Sequence, residues 1–375
     1  MANIITLTAT DGSTVEFYDE IKASGGVKDV YFSTDGTYVV GFYRKALSAN
    51  DRQRIEDIVN VHRQRIFTPD AAGQYWENFF AWPTKIVEWN EKVGLVMPFY
   101  DKKFFFSGID PRWPFMKDGQ EKNGKWFSSA KLYNRFVPDN QKGNLLTRLH
   151  MCLKIARAIR RLHAAGLAHS DLSYNNVLVD PLTGNACIID CDGLVVPKKF
   201  PPEVVGTPGF IAPEVMATRA LPLQDPKKNL PQISTDRHAL AVLIYTFLLQ
   251  RHPLDGGKVW DVNDTEHDDD LRYGEKALFI EHPYDATNRE ALAARSARIA
   301  TRRPATAPLH PVRPLSHTAI QSGLCRGTPC TGPAPQRSRM GRCPRQDVRS
   351  LAALQLRTRL VRLRQHHAAQ MPILR

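Results

Sequence analysis

Two short segments of this 375-residue chain carry carboxylates and an amide at spacings that suit phosphoryl transfer. In AHSDLSYNNVLVD, Ala168 to Asp180, Asn176 follows Asp171 in the pattern Asp-x-x-x-x-Asn. In ACIIDCDGL, Ala186 to Leu194, Asp190 ends the apolar run Cys187-Ile188-Ile189. Such a run reads as a short buried strand that delivers a carboxylate to a loop. Moving a phosphoryl group asks little covalent chemistry of a protein. It needs a carboxylate beside the acceptor hydroxyl and metal ligands under the triphosphate. Asp171, Asn176 and Asp190 are the candidates for these tasks. A third segment, VGTPGFIAPE, follows at Val205 to Glu214 and ends in Ala212-Pro213-Glu214. Each piece alone is weak, since an Asp-x-x-x-x-Asn pair is often an ordinary polar turn. Their joint order carries the inference.

Other elements must position these groups. Asp29 to Ser33 and Tyr38 to Arg44 alternate like two strands, and Asp35-Gly36 between them is a strong hairpin signal. A helix should follow, because Ile55, Val59, His62 and Ile66 fall on one helical face. Ser48 and Asp51 resemble a capping box at its start. Lys85 to Trp89 and Val93 to Tyr100 read as paired strands. Residues 101 to 143 form a long connection, too long to be structureless in a compact domain. Leu145, Leu149, Cys152, Ala156 and Ile159 then mark the apolar stripe of a long helix that stops at Gly166. Beyond Glu214, Ser234-Thr235-Asp236 caps the apolar helix Arg237 to Tyr245. That helix resembles the central C-lobe helix of protein kinases, which implies that Asp236 ties the loop around Asp171 by accepting backbone N–H bonds.

Together with ALAVLIYTFLLQRHPLDGGK and GEKALFIEHP, these stretches resemble the protein kinases. Within them, the chain resembles a bacterial protein-kinase-like family found beside a von Willebrand factor A-type protein and a PP2C-type phosphatase. That family occurs in tellurite and chemical-stress resistance operons and is related to helix-hairpin-helix-associated kinases. The resemblance covers residues 15 to 290. It implies an α+β, two-lobed protein-kinase-like fold with a small antiparallel-sheet N-lobe, a mainly helical C-lobe and an atypical C-terminal tail. Residues 1–100 would be the N-lobe and hinge, 101–143 an insert, and 144–290 a C-lobe, incomplete if the tail is not native. The implied function is ATP- and Mg-dependent phosphorylation of protein Ser/Thr in a bacterial stress response, in the cytoplasm. The alternative is a catalytically weak pseudokinase that serves as a nucleotide-binding scaffold. The implied partners are a protein substrate, such as the A-domain protein, and the phosphatase.

The resemblance also assigns residues. Asp171 stands at the catalytic aspartate, and Asn176 and Asp190 at the metal ligands. Gly25 and Gly26 sit where the phosphate-covering loop belongs. The strand lysine of V-A-I-K is replaced by Tyr43, in Val40-Gly41-Phe42-Tyr43. Something must still neutralise the α/β-phosphates. Lys28 on the preceding strand is placed as in the with-no-lysine kinases, with Lys45 as its rival after a register shift and Arg44 behind it. Glu56 is the expected ion-pair partner of the phosphate lysine. Val96-Met97-Pro98-Phe99-Tyr100 matches the hinge pattern V-M-E-Y. Met97 would be the gatekeeper behind the adenine, and the backbone at Pro98 and Tyr100 would pair with the base. Several positions depart from the family. Ser170 replaces the arginine of H-R-D, Ser173 replaces the lysine that contacts the transferred phosphate, and Asp190-Cys191-Asp192 replaces D-F-G. Asp192 is either a second metal ligand or a loop carboxylate.

The last 85 residues have another composition. Residues 291–375 hold 16 Arg, no Lys, one acid (Asp347), nine Pro and no Phe, Trp or Tyr. That gives 16 − 1 = +15, against +13 for the whole chain, so residues 1–290 carry 13 − 15 = −2. The basic character belongs to the tail. Its lack of apolar mass for a core suits a disordered tail, and three readings of its origin stay open: a sequence read out of frame from GC-rich codons, a genuine basic arm that could bind nucleic acid, or a divergent C-lobe end. The three tail cysteines, Cys325, Cys330 and Cys343, lack metal-site spacing. Free thiols suit the cytosol, and no apolar run reaches membrane-spanning length.

Overall fold

A computed structural model describes residues 3–197, 199–200 and 206–289. The N-terminal part is one antiparallel sheet of six strands: β1 (Ile4–Thr8), β2 (Thr14–Ser24), β3 (Lys28–Ser33), β4 (Tyr38–Tyr43), β5 (Lys85–Trp89) and β6 (Lys92–Pro98). Their order is β1-β2-β3-β4-β6-β5. The β3–β4 hairpin forms at the expected Asp-Gly. Asp35 Oδ1 accepts the Thr37 amide at 3.0 Å, and Gly36 supplies φ +68°. The edge strand β1 was not expected from the sequence. It pairs with β2 from Ile4 opposite Tyr18 to Thr8 opposite Thr14.

The sheet curls until its two edges nearly meet, with the Thr10 amide donating to Ile86 O at 2.9 Å. Alternation turns Phe17, Tyr31 and Phe42 into the concave side, where they meet Trp89 edge-on or tilted at 5.4–5.7 Å between centroids. Such aromatic pairs add about 0.5–1.5 kcal/mol each beyond their burial. Gly94 lets the sheet close on this cluster, because a Cβ there would lie 2.5 Å from the Phe42 ring.

The other face carries the helical segment of residues 49–66. It runs as α1 (Ala49–Glu56), a π-helical stretch at Asp57–His62 and α2 (Arg63–Ile66). Ser48 caps it by accepting the Asp51 amide at 3.1 Å. The expected face is the buried one: Ile55, Val59, His62 and Ile66 are all within 5% exposure. In the widened stretch Ile58 O also accepts Trp82 Nε1 at 3.1 Å. A short helix, α3 (Ala71–Glu77), precedes β5.

Residues 101–143 contain 3-10 turns and α4 (Ala130–Phe136), and they bury Phe104, Phe106, Met116 and Phe127 in the C-terminal core. The C-terminal part is built on α5 (Leu145–Ala164) and α7 (Ile233–Leu249), with the hairpin β7 (Val177–Asp180) and β8 (Asn185–Ile188) beside them. The short α6 (Pro213–Met216) and α8 (Thr265–Tyr273) complete it. On α5 the stripe is rotated from the expected one. Met151, Cys152, Ile155, Ala158, Ile159 and Leu162 are buried, whereas Leu145 is 51% exposed. The first turn lies beyond the core, so burial rather than periodicity decides its exposure. No helix among the described residues is long and apolar enough to cross a membrane.

Candidate active site

The loop holding Asp171 lies between α5 and β7 and is clamped from below. Asp236, buried in the first turn of α7, accepts the His169 amide at 2.7 Å, the Ser170 amide at 3.0 Å and His163 Nε2 at 3.0 Å. Three donors satisfy a carboxylate that would otherwise be expensive to bury. The clamp holds Ser170 at φ +65°, a backbone state costing about 1–3 kcal/mol for a non-glycine residue. His169 Nε2 reaches Ile189 O at 3.0 Å, so the same loop braces the residue before Asp190.

Asp171 is half-buried. Its Oδ1 accepts both the amide and the hydroxyl of Thr207 at 2.7 Å, and its Oδ2 accepts Asn176 Nδ2 at 2.9 Å. Asn176 Nδ2 also donates to Asp171 O at 2.8 Å, which turns the amide oxygen away from Asp171. Ser173 is fully buried, and its Oγ lies within hydrogen-bond distance of the Thr207 hydroxyl, at 3.2 Å. The role of Thr207 was missed from the sequence, although its segment, GTPGF, was visible.

Asp190 sits in left-handed backbone at φ +61°, ψ +37°, a state Asp tolerates better than most residues. Its side chain is 51% exposed toward the cleft, whereas that of Asp192 is only 7% exposed. The Ile189 amide donates to Asn176 O at 3.1 Å, which ties the two candidate metal-ligand segments together. A half-exposed carboxylate and an amide oxygen are hard donors suited to Mg²⁺, which prefers a few protein oxygens plus phosphate oxygens and water. The residues present therefore fit that ion.

On the sheet side, Lys28 and Tyr43 are direct cross-strand partners in the β3–β4 pairing and share a face with Gly41. The Lys28 stem crosses Gly41, where a Cβ would lie 3.5 Å from its Cδ and 3.1 Å from Met97 Cε. Lys28 Nζ then reaches Asp192 Oδ2 at 2.7 Å and approaches Asp190 Oδ1 at 4.0 Å. The Tyr43 hydroxyl donates to the same Asp192 oxygen. Burial alone would lower the pKa of Lys28, but Asp192 and then Asp190 outweigh it and raise it above the usual value. Burial likewise works to raise Asp192, and Lys28 with Tyr43 overcomes it and holds the carboxyl low. Asp190 moves the other way, pushed up by desolvation in the cleft and then by the charge of Asp192. Two neighbouring carboxylates are thus set apart by their surroundings.

The expected pairing of Glu56 is corrected here. Among the described residues the carboxylates at Lys28 come from Asp190 and Asp192, and Glu56 has no ion pair. Its helix approaches the site through Arg54 instead, whose Nη1 donates to Asp192 O at 2.9 Å. Lys45 is exposed on the loop after β4, and no register shift brings it inward. Arg44 pairs with Asp29 at 2.9 Å, away from the cleft. Gly25 and Gly26 form the β2–β3 turn, closed by the Gly25 amide on Lys28 O at 3.0 Å. Met97 and Pro98 end β6 opposite Val39 and Tyr38. The Phe99 amide is taken by Thr37 O at 3.4 Å, and burial raises the Tyr100 phenol above its usual range. Glu214 Oε2 is buried without a partner among the described residues. All of 291–375 lies outside the described residues.

Residues 130–291 match the family model described as the protein kinase domain. The chain carries a protein kinase fold. The kinase relatives include serine/threonine-protein kinase dkf-2 of Caenorhabditis briggsae, 27% identical over 143 residues, which are 36% of this chain and 11% of that protein. Serine/threonine-protein kinase PLK4 of Xenopus laevis is 34% identical over 110 residues, 28% of this chain and 10% of its own length. Serine/threonine-protein kinase D2 of Homo sapiens is 30% identical over 134 residues, with shares of 34% and 14%. The chain thus spans 10–14% of the length of these kinases. Among solved structures, a rhoptry kinase from Toxoplasma gondii aligns over 76% of this chain and 82% of its own, at 16% identity and a TM-score of 0.45.

Proposed function

We propose that this kinase fold transfers the γ-phosphoryl group of ATP to a serine or threonine hydroxyl of a protein. The observation that carries the reading is the convergence of Asp171, Asn176 and Asp190 with a half-buried ammonium, Lys28, across one cleft. In this reading Asp171 orients the acceptor hydroxyl, and Asn176 and Asp190 would hold Mg²⁺. When bound, that ion neutralises charge developing on the β- and γ-phosphates. Lys28 supplies the cation that residue 43 lacks. The base lies against Gly41 and Met97, with the chain at Pro98 and Tyr100 as its edge. A groove of about 730 Å³ beside Tyr174 and Pro208–Phe210 offers room for the acceptor segment.

The family resemblance extends the proposal to a bacterial stress response of the tellurite-resistance type, in the cytoplasm. A von Willebrand A-domain protein is then the proposed substrate, and a PP2C-type phosphatase reverses the modification. One observation favours the second reading, a nucleotide-binding pseudokinase. Ser173 is buried where a lysine would meet the transferred phosphate, and its hydroxyl is engaged by Thr207. Incubation of the chain with γ-labelled ATP, Mg²⁺ and a serine/threonine peptide library tests both. Label on serine or threonine supports the phosphotransferase. ATP binding without label supports the pseudokinase.

A further inference from the structure

One buried carboxylate of the site has no task in the chemistry above. Asp192 takes two donors on one oxygen, Lys28 Nζ at 2.7 Å and the Tyr43 hydroxyl, and its backbone oxygen takes Arg54 Nη1 at 2.9 Å. Three elements of the N-lobe, β3, β4 and α1, therefore converge on a single residue of the loop after β8. Arg54 also pairs with Asp51 of the same helix, at 3.2 Å. Lys28 is held along its stem by Gly41 and at its tip by Asp192, with the more open Asp190 at 4.0 Å.

We propose that Asp192 is a positioning residue for Lys28. It fixes the ammonium at the edge of the cleft where phosphate oxygens arrive, and it leaves Asp190 to the metal. This rests on the phosphotransferase reading. It means that the phosphate cation is held from the C-lobe loop rather than by a glutamate on α1. Movement of α1 reaches this junction through Arg54 on the Asp192 backbone and through Ile55, which packs with Tyr43. The rival role is a metal ligand through Asp192 Oδ1, which is buried and without a partner among the described residues.

A double-mutant cycle separates the two. The rate constant kcat/KM for ATP is measured for the full chain, Asp192→Asn, Lys28→Met and the double variant, each across a Mg²⁺ titration. Asp192→Asn is expected to lower kcat/KM by roughly tenfold or more, the usual loss for a charge-assisted hydrogen bond. In the Lys28→Met background the same change should cost less than about twofold, because its effect passes through Lys28. The Mg²⁺ concentration for half-maximal rate should not move. An equal loss in both backgrounds overturns the proposal, and so does a shifted Mg²⁺ requirement. If Asp192→Asn does not fold, Tyr43→Phe removes one donor from the same oxygen. It should cost about threefold with Lys28 present and nothing without it, and a full-rate Tyr43→Phe overturns the proposal. A wild-type chain with no transfer at all removes the phosphotransferase reading first, a result distinct from any pattern within the cycle.

Discussion

The two sides of the cleft are held in place by different means. The catalytic loop is fixed within its own lobe: Asp236 on α7 binds the His169 and Ser170 amides, and Asn176 and Thr207 fix Asp171. The phosphate-side cation is fixed across the cleft. Lys28 and Tyr43 come from the sheet, and the Asp192 that gathers them comes from the loop after β8. The first arrangement persists as long as the C-lobe is folded. The second exists only while sheet and loop face each other, so it responds to how the lobes sit. Chemistry and charge neutralisation are therefore separable in this protein, and variants should separate them.

The largest expected effect is at the base of the catalytic loop. Asp171→Asn should reduce phosphoryl transfer by about 10²–10⁴-fold, the range for a positioned acid–base group, while ATP affinity by calorimetry stays unchanged. Equal losses in affinity and turnover would merge the two halves that the structure keeps apart. Next is the metal side. Asp190→Ala should abolish the Mg²⁺-dependent part of ATP affinity and leave metal-free affinity near that of the wild type. Retained Mg²⁺ dependence in Asp190→Ala, with loss in Asp192→Ala, would reverse the two carboxylates.

The smallest effect concerns acid stability, and it also distinguishes the halves. His238 on α7 is buried with both ring nitrogens lacking partners among the described residues, and burial, then His252, pushes its pKa down to about 4. Its ordinary value is about 6.5. The unfolded chain therefore binds the extra proton between those values, so stability is complete above about pH 6.5 and declines as pH falls toward 4. A shift of that size is worth ~3 kcal/mol. The Lys28–Asp192 pair survives that window, because Asp192 titrates below its ordinary carboxylate value. Urea unfolding at pH 7 and pH 4.5 should show the loss in the wild type and a smaller one in His238→Gln. Identical losses in both would place the acid sensitivity elsewhere.

Much of the C-lobe half was legible because its information is local. Asp171 and Asn176 lie five positions apart, and Asp190 ends its own apolar run, so their order along the chain carried the resemblance that groups them. Asp236 could be read as the loop's clamp because its helix resembles the central C-lobe helix of protein kinases. The sheet half was less legible because its contacts join residues far apart in sequence. Lys28 was suggested by the resemblance to the with-no-lysine kinases once Tyr43 stood in the lysine position, with Lys45 and Arg44 left open beside it. The Lys28–Asp192 bond spans 164 positions, and no periodicity announces it. Glu56 was a reasonable expectation, as the glutamate on α1. The helix instead presents Arg54 to the site, and Asp192 already supplies the negative charge that Glu56 would have brought. The edge strand β1 went unread because its residues alternate between half-buried and exposed positions and carry no turn signal as strong as Asp35-Gly36.

The central claim is that a lysine on β3, rather than one on or after β4, neutralises the phosphates opposite the catalytic loop. It is tested most directly by phosphoryl transfer from γ-labelled ATP in four chains: wild type, Lys28→Met, Lys45→Met, and Lys28→Met with Tyr43→Lys. The account predicts a severe loss in Lys28→Met and nearly full activity in Lys45→Met. It also predicts partial recovery when Tyr43→Lys returns an ammonium from the neighbouring strand position. A severe loss in Lys45→Met with an active Lys28→Met would contradict it.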